Sequence, residues 1–210
     1  MMNPFGRIVR TEAELKELAG SPSPLAVNKA IPVLDGHCRD FIAKAPIVFI
    51  ATADAAGACD VSPRGDAPGF TAVIDDKHLL IPERPGNRRF DSMRNILDNP
   101  QIGLIYIIPG LEETLRISGK ACIVKDTDCL APLEAQGKIP LFGIGVEVEQ
   151  CFVHCAKAFK RSKLWDSASW PAEESLPSAA RMLADHAGAT GLTEKDITAA
   201  LKESYEKRLY

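Results

Sequence analysis

The spacing of apolar residues in the first part of the chain predicts two helices. Leu15 and Leu18 follow a capping-box sequence at 11–14 and precede Gly20, which can end a short helix. A second helix is predicted over 34–45, because apolar residues recur there every three or four positions until Pro46. The Ser-Pro-Ser-Pro sequence at 21–24 is typical of a linker between them.

From position 47 the pattern changes to short apolar runs separated by turn residues. The predicted strands span 47–53, 59–62, 71–74, 78–81, 101–108, 114–125 and 141–153. From them we expect a barrel of about six strands. Two helices interrupt them, one from Asn87 to about 99 and a short one over 127–136. Since tight turns join most strands, we predict a mainly β fold with flanking helices (α+β), built on an antiparallel barrel or strongly curled sheet.

The end of the chain has a different pattern from the strand-rich middle. Helices are predicted from 175 or 178 to 186, and from 193 to about 205. We therefore expect three parts. Residues 1–33 form an N-terminal helix and linker, residues 34–165 form the barrel domain, and residues 166–210 form a helical extension packed on the same domain.

The composition of the chain argues against nucleic acid and membranes as binding partners. The 210 residues carry a net charge of −3, which gives no overall basic field for nucleic acid or an anionic membrane. The longest apolar runs are too short to span a bilayer, and the first residues lack the apolar core of a signal peptide. We expect a cytoplasmic protein that binds neither nucleic acid nor membrane.

The six cysteines do not form a metal-binding pattern. None forms a Cys-x-x-Cys pair, and in the cytoplasm they are expected to be reduced. Cys151, His154 and Cys155 are the one cluster with ligand chemistry. Because a zinc site needs about four ligands and no second pair is evident, we expect no metal.

Two adjacent arginines stand at a predicted helix start. Asn87 is a suitable N-cap, and Arg88 and Arg89 follow it at the positive end of the helix dipole. Cations are unfavourable there unless an anion docks, in which case free backbone N–H groups and guanidinium groups converge on it. A phosphate site and two solvated surface arginines explain this stretch equally well.

A second stretch adds a cation beside a hydroxyl group. Ser62 and Arg64 belong to a Gly/Pro-rich loop at 62–70, and strand ends lie close together in a barrel. Arg64 could then face the same anion as the two arginines after Asn87, and three arginines suit a phosphomonoester. Alternatively, Arg64 forms an ordinary surface ion pair with Asp60 or Asp66.

Two later segments carry further candidate residues. Thr114 and Arg116 share one face of an alternating strand, which could contact the edge of a planar heterocycle, although an ordinary exposed face is favoured by periodicity alone. Lys157 and Arg161 are four residues apart and share a face if the segment is helical. Trp165 is either a stacking platform or a packing residue.

Other familiar catalytic patterns are missing. The sequence has no phosphate-binding P-loop, no complete dinucleotide fingerprint, no nucleophile elbow and no evident Ser/His/Asp order. A chain without its own strong nucleophile or base often obtains its chemistry from a cofactor.

The motifs together resemble the pyridoxamine 5'-phosphate oxidase-related superfamily of split barrels that bind flavin mononucleotide (FMN), and within it a bacterial subgroup described only as FMN-dependent. The resemblance runs from about 41 to 165. It rests on Ser62-Pro63-Arg64-Gly65, Pro85-Gly86-Asn87-Arg88-Arg89, Pro109-Gly110, Glu113-Thr114-Leu115-Arg116 with Gly119, His154-Cys155-Ala156-Lys157-Ala158, Arg161-Ser162 and Leu164-Trp165. It implies a six-stranded antiparallel split barrel that forms a homodimer, with FMN in two equivalent clefts between the subunits.

The resemblance also assigns roles around the FMN phosphate and ring. Arg64, Arg88 and Arg89 match residues that hold the phosphate, with Ser62 and Asn87 beside them. Ile81 and Pro82 match strand residues whose backbone lines the isoalloxazine ring.

The remaining matches fall near the reactive part of the flavin. Thr114 stands where the oxidase has a glutamine close to the reactive ring nitrogen, and Arg116 follows it. Lys157, Arg161 and Trp165 lie in the segment that reaches the cleft from the partner subunit in such dimers.

One departure limits the functional expectation. The oxidase carries an Arg-x-His motif near its C-terminus for the substrate phosphate, and the tail after Trp165 has no such motif. We therefore expect an FMN-dependent oxidoreductase that acts on a small molecule or a nicotinamide donor, with catalytic residues unknown. The alternatives are a flavin carrier or sensor, and a split barrel that binds haem or a deazaflavin.

Overall fold

Seven antiparallel strands form one sheet in the order β2-β1-β5-β6-β7-β4-β3 in the computed structural model, which describes residues 4–210. The strands are β1 Ile47–Ala53, β2 Cys59–Gly65, β3 Ala72–Val73, β4 His78–Pro82, β5 Gln101–Ile107, β6 Thr114–Val124 and β7 Gly143–His154. The expected mainly β fold with flanking helices is confirmed. The count of six strands is wrong, because the sheet has seven strands, and the predicted span 71–74 contributes the two-residue strand β3.

Eight α-helices flank the sheet within residues 4–210. They are α1 Glu12–Ala19, α2 Pro24–Asn28, α3 Gly36–Lys44, α4 Asp91–Asp98, α5 Thr127–Leu130, α6 Lys157–Ser162, α7 Ala179–His186 and α8 Glu194–Lys207. The linker was predicted over 21–24, but the structure begins a helix, α2, at Pro24. Ser23 caps α2 through its side chain, and Pro24 occupies the first helical position, where its missing N–H has no cost.

Two long strands divide the sheet into two halves. The first part of β6 pairs with β5 and the end of β7, whereas its second part pairs with the start of β7, which in turn pairs with β4. A register shift between Ser118 and Gly119 marks the junction. A bulge bends a strand and increases its twist, so the two halves can curl toward each other.

The curl brings the two ends of the sheet together without a backbone ladder between them. Strand β2 is hydrogen-bonded only to β1, and β4 only to β7 and β3. Ion pairs nevertheless connect β2 and the residues after it with the residues after β4, namely Arg64 with Glu83 and Asp66 with Arg84. The sheet is therefore curled and split along this line.

The core lies inside the curl and is closed by α3 and α4. Its largest fully buried apolar side chains come from five strands and from α3 with the residues before it. They include Val48, Ile50, Leu79, Ile81, Leu104, Leu115, Ile117, Ile144, Leu34 and Ile42. Helix α4 adds Met93 and Ile96 and lies next to β1, β2 and β6.

Candidate functional site

Strand β2 turns its polar residues toward the core. Ser62 and Arg64 lie directly opposite the buried Ile50 and Val48 of β1, and opposed residues of an antiparallel pair share a face. The alternate residues Val61 and Pro63 point outward, and Val61 is 65% exposed. The prediction that 62–65 is a loop is wrong, because these residues continue the ladder with β1 as far as Gly65.

Arg64 spans the split between β2 and β4. Its Nε donates to Glu83 Oε2 at 2.7 Å, and its Nη1 donates to Ser62 Oγ at 2.5 Å. The two charged side chains are only 16% and 15% exposed. Both sequence-based alternatives for an ion pair of Arg64 are wrong, because its carboxylate partner is Glu83 rather than Asp60 or Asp66. Asp60 instead accepts from Ser92 Oγ at 2.8 Å.

Burial of this pair changes the acidity of the carboxyl group. Burial raises the pKa of Glu83, and the attraction of Arg64 offsets only part of that effect. Glu83 therefore takes up a proton more readily than an exposed glutamate. A protonated Glu83 would hold Arg64 less strongly, which would leave the guanidinium available for another anion.

A second ion pair lies beside the first. Arg84 Nε donates to Asp66 Oδ2 at 2.7 Å, and the Tyr210 hydroxyl donates to Asp66 Oδ1 at 2.6 Å. Burial acts to raise the pKa of Asp66, but the hydrogen bonds from Tyr210, Ala67 N–H and Arg84 outweigh it and lower the pKa. The chain near α8 is thus tied to the edge of the split.

The turn after β4 differs from its predicted form. Helix α4 begins at Asp91 with Phe90 at the cap position, so the prediction that Asn87 is the N-cap is wrong. Asn87 Oδ1 instead accepts from Arg89 N–H at 3.0 Å, within a turn where Arg88 and Phe90 have positive φ angles of 60° and 57°. This left-handed backbone inserts three more residues before the helix can start.

The same turn leaves donors without protein partners. No side chain of residues 4–210 caps the first turn of α4, so its backbone N–H groups keep their capacity to bind an anion. Arg89 pairs with Asp91 at 2.8 Å, whereas Arg88 makes no ion pair with any residue in the described range 4–210. Both arginines are exposed. The residues fit a phosphate group, because one free guanidinium lies in the turn that leads to an uncapped helix start.

Ile81 and Pro82 lie at the end of β4 on the same split. Ile81 has a fully buried side chain in the core, and Pro82 is also buried. Strand β3 pairs only with Leu79 and Leu80, so no strand of the described residues 4–210 pairs with Ile81 and Pro82 on the edge away from β7. The geometry is compatible with backbone contacts to a ligand there, and the roles of these two residues remain predictions.

A second group of predicted residues lies on the outward face of β6 and β7. Thr114 is 5% exposed and lies opposite His154, while Arg116 lies opposite Phe152 with its Cζ 5.3 Å from the ring centroid. Lys29 Nζ is 4.9 Å from the same centroid. Sequence reasoning missed Lys29 and Phe152. Lys29 belongs to a segment read as a linker, and only the register of β7 shows that Phe152 faces Arg116.

The segment after β7 holds the last three predicted residues. Lys157 and Arg161 are exposed on α6. Trp165 stacks on Phe159 with 5.8 Å between ring centroids, and its Nε1 donates to the Leu111 carbonyl at 3.0 Å. Beside this stack lies an open surface cavity of about 310 Å³, lined by Glu112, Phe159, Lys160, Lys163, Trp165 and Asp166.

The predicted residues therefore form two separate groups in one chain. The cradle group comprises Ser62, Arg64, Ile81, Pro82, Asn87, Arg88 and Arg89, and the sheet-face group comprises Thr114, Arg116, Lys157, Arg161 and Trp165. Within residues 4–210, no hydrogen bond, ion pair or ring contact joins one group to the other.

Neither a metal cluster nor a membrane-spanning helix is found in the part of the chain that the structure describes. No three His, Cys, Asp or Glu side chains of residues 4–210 are arranged to share a metal ion. Cys151 is buried in the core, whereas Cys155 is exposed. No helix in the same range combines the length and apolar composition that a bilayer crossing needs.

The comparison with protein families identifies the fold class. Residues 34–155 match the family model of pyridoxamine 5'-phosphate oxidase, which covers more than half of the 210 residues. The chain therefore belongs to the pyridoxamine 5'-phosphate oxidase family. Among curated proteins, none matches the sequence.

The chain is also distantly similar to several solved structures. HupZ of Group A Streptococcus has 23% identity and a TM-score of 0.46, with 57% of this chain and 92% of that chain covered. A provisional pyridoxamine 5'-phosphate oxidase of Lactobacillus delbrueckii has 23% identity and a TM-score of 0.45, with coverages of 58% and 95%. General stress protein 26 of Bacillus anthracis has 12% identity and a TM-score of 0.42, with coverages of 56% and 93%. These likenesses are too distant to identify a ligand or an activity.

Proposed function

We propose that the protein is an FMN-binding flavoprotein and an FMN-dependent oxidoreductase of the pyridoxamine 5'-phosphate oxidase family, acting in the cytoplasm on a small molecule. The observation that carries the proposal is the cradle group at the split. There, Arg88, which pairs with no carboxylate of residues 4–210, precedes a start of α4 that no side chain in this range caps, and Arg64 is held near Ser62. Guanidinium groups and free backbone N–H groups are the donors that a phosphomonoester requires.

Each residue of the cradle group has a distinct task in this proposal. Arg88, Arg89 and Arg64 bind the phosphate, and Ser62 positions Arg64 through its hydroxyl. Asn87 holds the turn by accepting from Arg89 N–H. The backbone of Ile81 and Pro82 supports the ring system. When bound, FMN supplies transfer of a hydride or of single electrons, which this chain's own side chains do not provide.

The cradle group and the sheet-face group do not touch within one subunit, and this supports a homodimer in which they meet across the interface. We propose that Thr114, Arg116, Lys157, Arg161 and Trp165 of one subunit complete the cleft around the cradle group of the other. The outward face of β2, β1 and β5 is apolar, with Pro63, Phe49 and Ile105 in one row and Val61 beside it. Val61 and Ile105 are 65% and 38% exposed, and burying such a face favours association.

The test of cofactor binding is spectroscopic. The purified protein should be yellow or should take up added FMN, and Arg88→Ala combined with Arg89→Ala should lose the flavin. Lys195→Ala on α8 removes an exposed cation that makes no contact with the cradle group, so it serves as a control. A protein that takes up no FMN would contradict the proposal, and its absorption spectrum would show whether it holds haem or a deazaflavin instead.

The test of activity uses a nicotinamide donor. Anaerobic mixing with reduced nicotinamide should bleach the flavin of an oxidoreductase. A flavin that no donor reduces would instead identify a carrier or sensor. The homodimer is tested by sedimentation, where Val61→Glu together with Ile105→Glu should shift the protein toward the monomer.

A further inference from the structure

Two cysteine side chains meet in the core between α3 and β7. The Cys151 thiol donates a hydrogen bond to Cys38 Sγ across 3.2 Å, although the two residues are 113 positions apart in the chain. Cys38 is 6% exposed and Cys151 is fully buried. The other four cysteines are exposed, and within residues 4–210 no second pair of cysteine sulfurs is hydrogen-bonded.

Each of the two cysteines is held in place by its own element. Asp35 caps α3 by accepting from the Cys38 N–H at 2.8 Å, which fixes Cys38 in the first turn of the helix. Cys151 lies opposite Ile117 in the ladder of β6 and β7, and its backbone also forms a bridge with Ile31. A disulfide bond between them requires the sulfurs to approach by only about 1.2 Å, from 3.2 Å to about 2.0 Å.

The hydrogen bond between the sulfurs gives the two thiols different chemistry. Burial raises the pKa of both thiols, so both are protonated at neutral pH. For Cys38, the hydrogen bond from Cys151 opposes the effect of burial, because a donated S–H stabilises the Cys38 thiolate. For Cys151, the same hydrogen bond adds to the effect of burial. Cys38 is therefore the sulfur that ionises more readily, and it is also the one with some exposure to solvent.

We propose that Cys38 and Cys151 are a redox-active pair, which a small hydroperoxide such as hydrogen peroxide converts to a disulfide bond. Cys38 loses its proton, its sulfur attacks one peroxide oxygen, and the O–O bond breaks. The products are a sulfenic acid at Cys38 and a hydroxide ion, which takes up the released proton and becomes water. This proposal does not depend on FMN binding.

The second step forms the bond between the two sulfurs. Cys151 sulfur attacks Cys38 sulfur, the S–S bond forms, and the S–O bond of the sulfenic acid breaks. The proton of the Cys151 thiol leaves with the hydroxyl group as a second molecule of water. In sum, two thiols lose two electrons and two protons, and one hydrogen peroxide is reduced to two molecules of water.

The disulfide bond would clamp α3 to β7. It closes the long loop between 38 and 151, and a crosslink across a long loop removes much conformational freedom from the unfolded chain. Cys151 lies three residues before the end of β7 at His154. The clamp therefore acts on the strand that leads into α6 and the sheet-face group, and it should make the oxidised protein more resistant to unfolding.

The test follows the thiols by mass spectrometry. The native protein is treated with hydrogen peroxide, unfolded, alkylated and digested. The peptides that contain Cys38 and Cys151 should be recovered joined and lighter by two hydrogen atoms than the two free peptides, and dithiothreitol should separate them. A four-serine variant, which excludes bonds through the exposed cysteines, should give the same joined peptides. Its substitutions are Cys59→Ser, Cys122→Ser, Cys129→Ser and Cys155→Ser.

Thermal unfolding provides the second measurement. Oxidation should raise the unfolding midpoint of the four-serine variant by about 5–10 °C, and it should not raise the midpoint when Cys38→Ala is added. Peptides of Cys38 and Cys151 that remain free thiols in the wild type, while the exposed cysteines are oxidised, would overturn the proposal and leave two packed thiols. A disulfide bond that leaves the midpoint unchanged would overturn the clamp.

Discussion

Arg64 Nε and Glu83 Oε2 are 2.7 Å apart across the line where the curled sheet is split. Strands β2 and β4 share no ladder, so this ion pair and its neighbour, Arg84 with Asp66, connect the two ends of the sheet. The same Arg64 is expected to bind the FMN phosphate. Glu83 and the phosphate therefore compete for one guanidinium group.

Replacing the competing carboxylate should strengthen FMN binding. Glu83→Gln retains an oxygen that can accept from Arg64, which preserves the contact across the split, but it removes the negative charge. We expect the affinity for FMN to rise by about five- to tenfold, because the phosphate no longer displaces a charged partner. Quenching of flavin fluorescence during titration measures the affinity.

A surface carboxylate provides the control for this substitution. Glu149→Gln removes a charge that pairs with Lys120 on an exposed part of the sheet, and it should leave the FMN affinity unchanged. An unchanged or weaker affinity in Glu83→Gln would mean that Arg64 does not bind the phosphate.

The pH dependence of FMN binding should also reveal Glu83. Burial raises the pKa of Glu83, so its proton is taken up at a higher pH than in an exposed glutamate. Protonation releases Arg64, and the affinity of the wild type relative to Glu83→Gln should therefore rise as the pH falls from about 8 to about 5. The titration of the FMN phosphate itself cancels in this ratio. A constant ratio across the range would show that Glu83 does not change its protonation on binding.

Most strands followed from sequence patterns, whereas the contacts across the split did not. The alternation of apolar residues in β1 and β5 reflects one buried face, and it located those strands within about one residue. In β2 the inward residues are polar, so the pattern is inverted, and Ser62 to Gly65 were predicted as a loop. Pro63 strengthened that error, although proline is tolerated on an edge strand such as β2.

The pairing of charges depends on distant parts of the chain. The partner of Arg64 is nineteen residues away, and nothing in the local sequence favours Glu83 over the nearer Asp60 or Asp66. The start of α4 was predicted wrongly for a local reason. Arg88 and Phe90 have left-handed backbone conformations, so the helix begins after them rather than directly after the capping candidate Asn87. Lys29 was missed because the bridge of Ile31 with Cys151 is formed between residues far apart in sequence.

The bulge that joins the two half-sheets should depend on Gly119. A Cβ atom at this position would lie 2.0 Å from the Glu147 carbonyl oxygen, which is backbone and cannot move aside cheaply. Gly119→Ala should lower the free energy of unfolding by about 3 kcal/mol, as expected for overpacking at a rigid contact. Thermal and denaturant unfolding measure the change.

Another strand glycine offers a matched comparison. At Gly103 of β5, the nearest atom to an added Cβ is the Ala51 Cβ at 3.8 Å, an ordinary contact distance. Gly103→Ala should therefore change the free energy of unfolding by less than about 0.5 kcal/mol. Equal losses in the two variants would show that the close approach at Gly119 does not control the bulge.

Tyr210 should hold the end of the chain against the split. Its hydroxyl donates to Asp66 Oδ1 at 2.6 Å, and its ring lies under Arg84 with 5.9 Å between the guanidinium carbon and the ring centroid. Tyr210→Phe removes the hydrogen bond but keeps the ring, so the packing against Arg84 is retained. We expect a loss of about 1 kcal/mol in the stability of the docked segment, which faster hydrogen exchange in α8 would detect.

The titration of this tyrosine provides a second, independent test. The hydrogen bond to Asp66 raises the pKa of Tyr210, because ionisation would remove the donor and place two negative groups together. The contribution of the contact is therefore complete below the ordinary tyrosine pKa of about 10 and is lost as the pH rises through the raised value. Tyr205→Phe is the control, because Tyr205 is 63% exposed and lacks a partner within residues 4–210. A protein whose α8 exchange responds equally to both substitutions would not use Tyr210 as a tether.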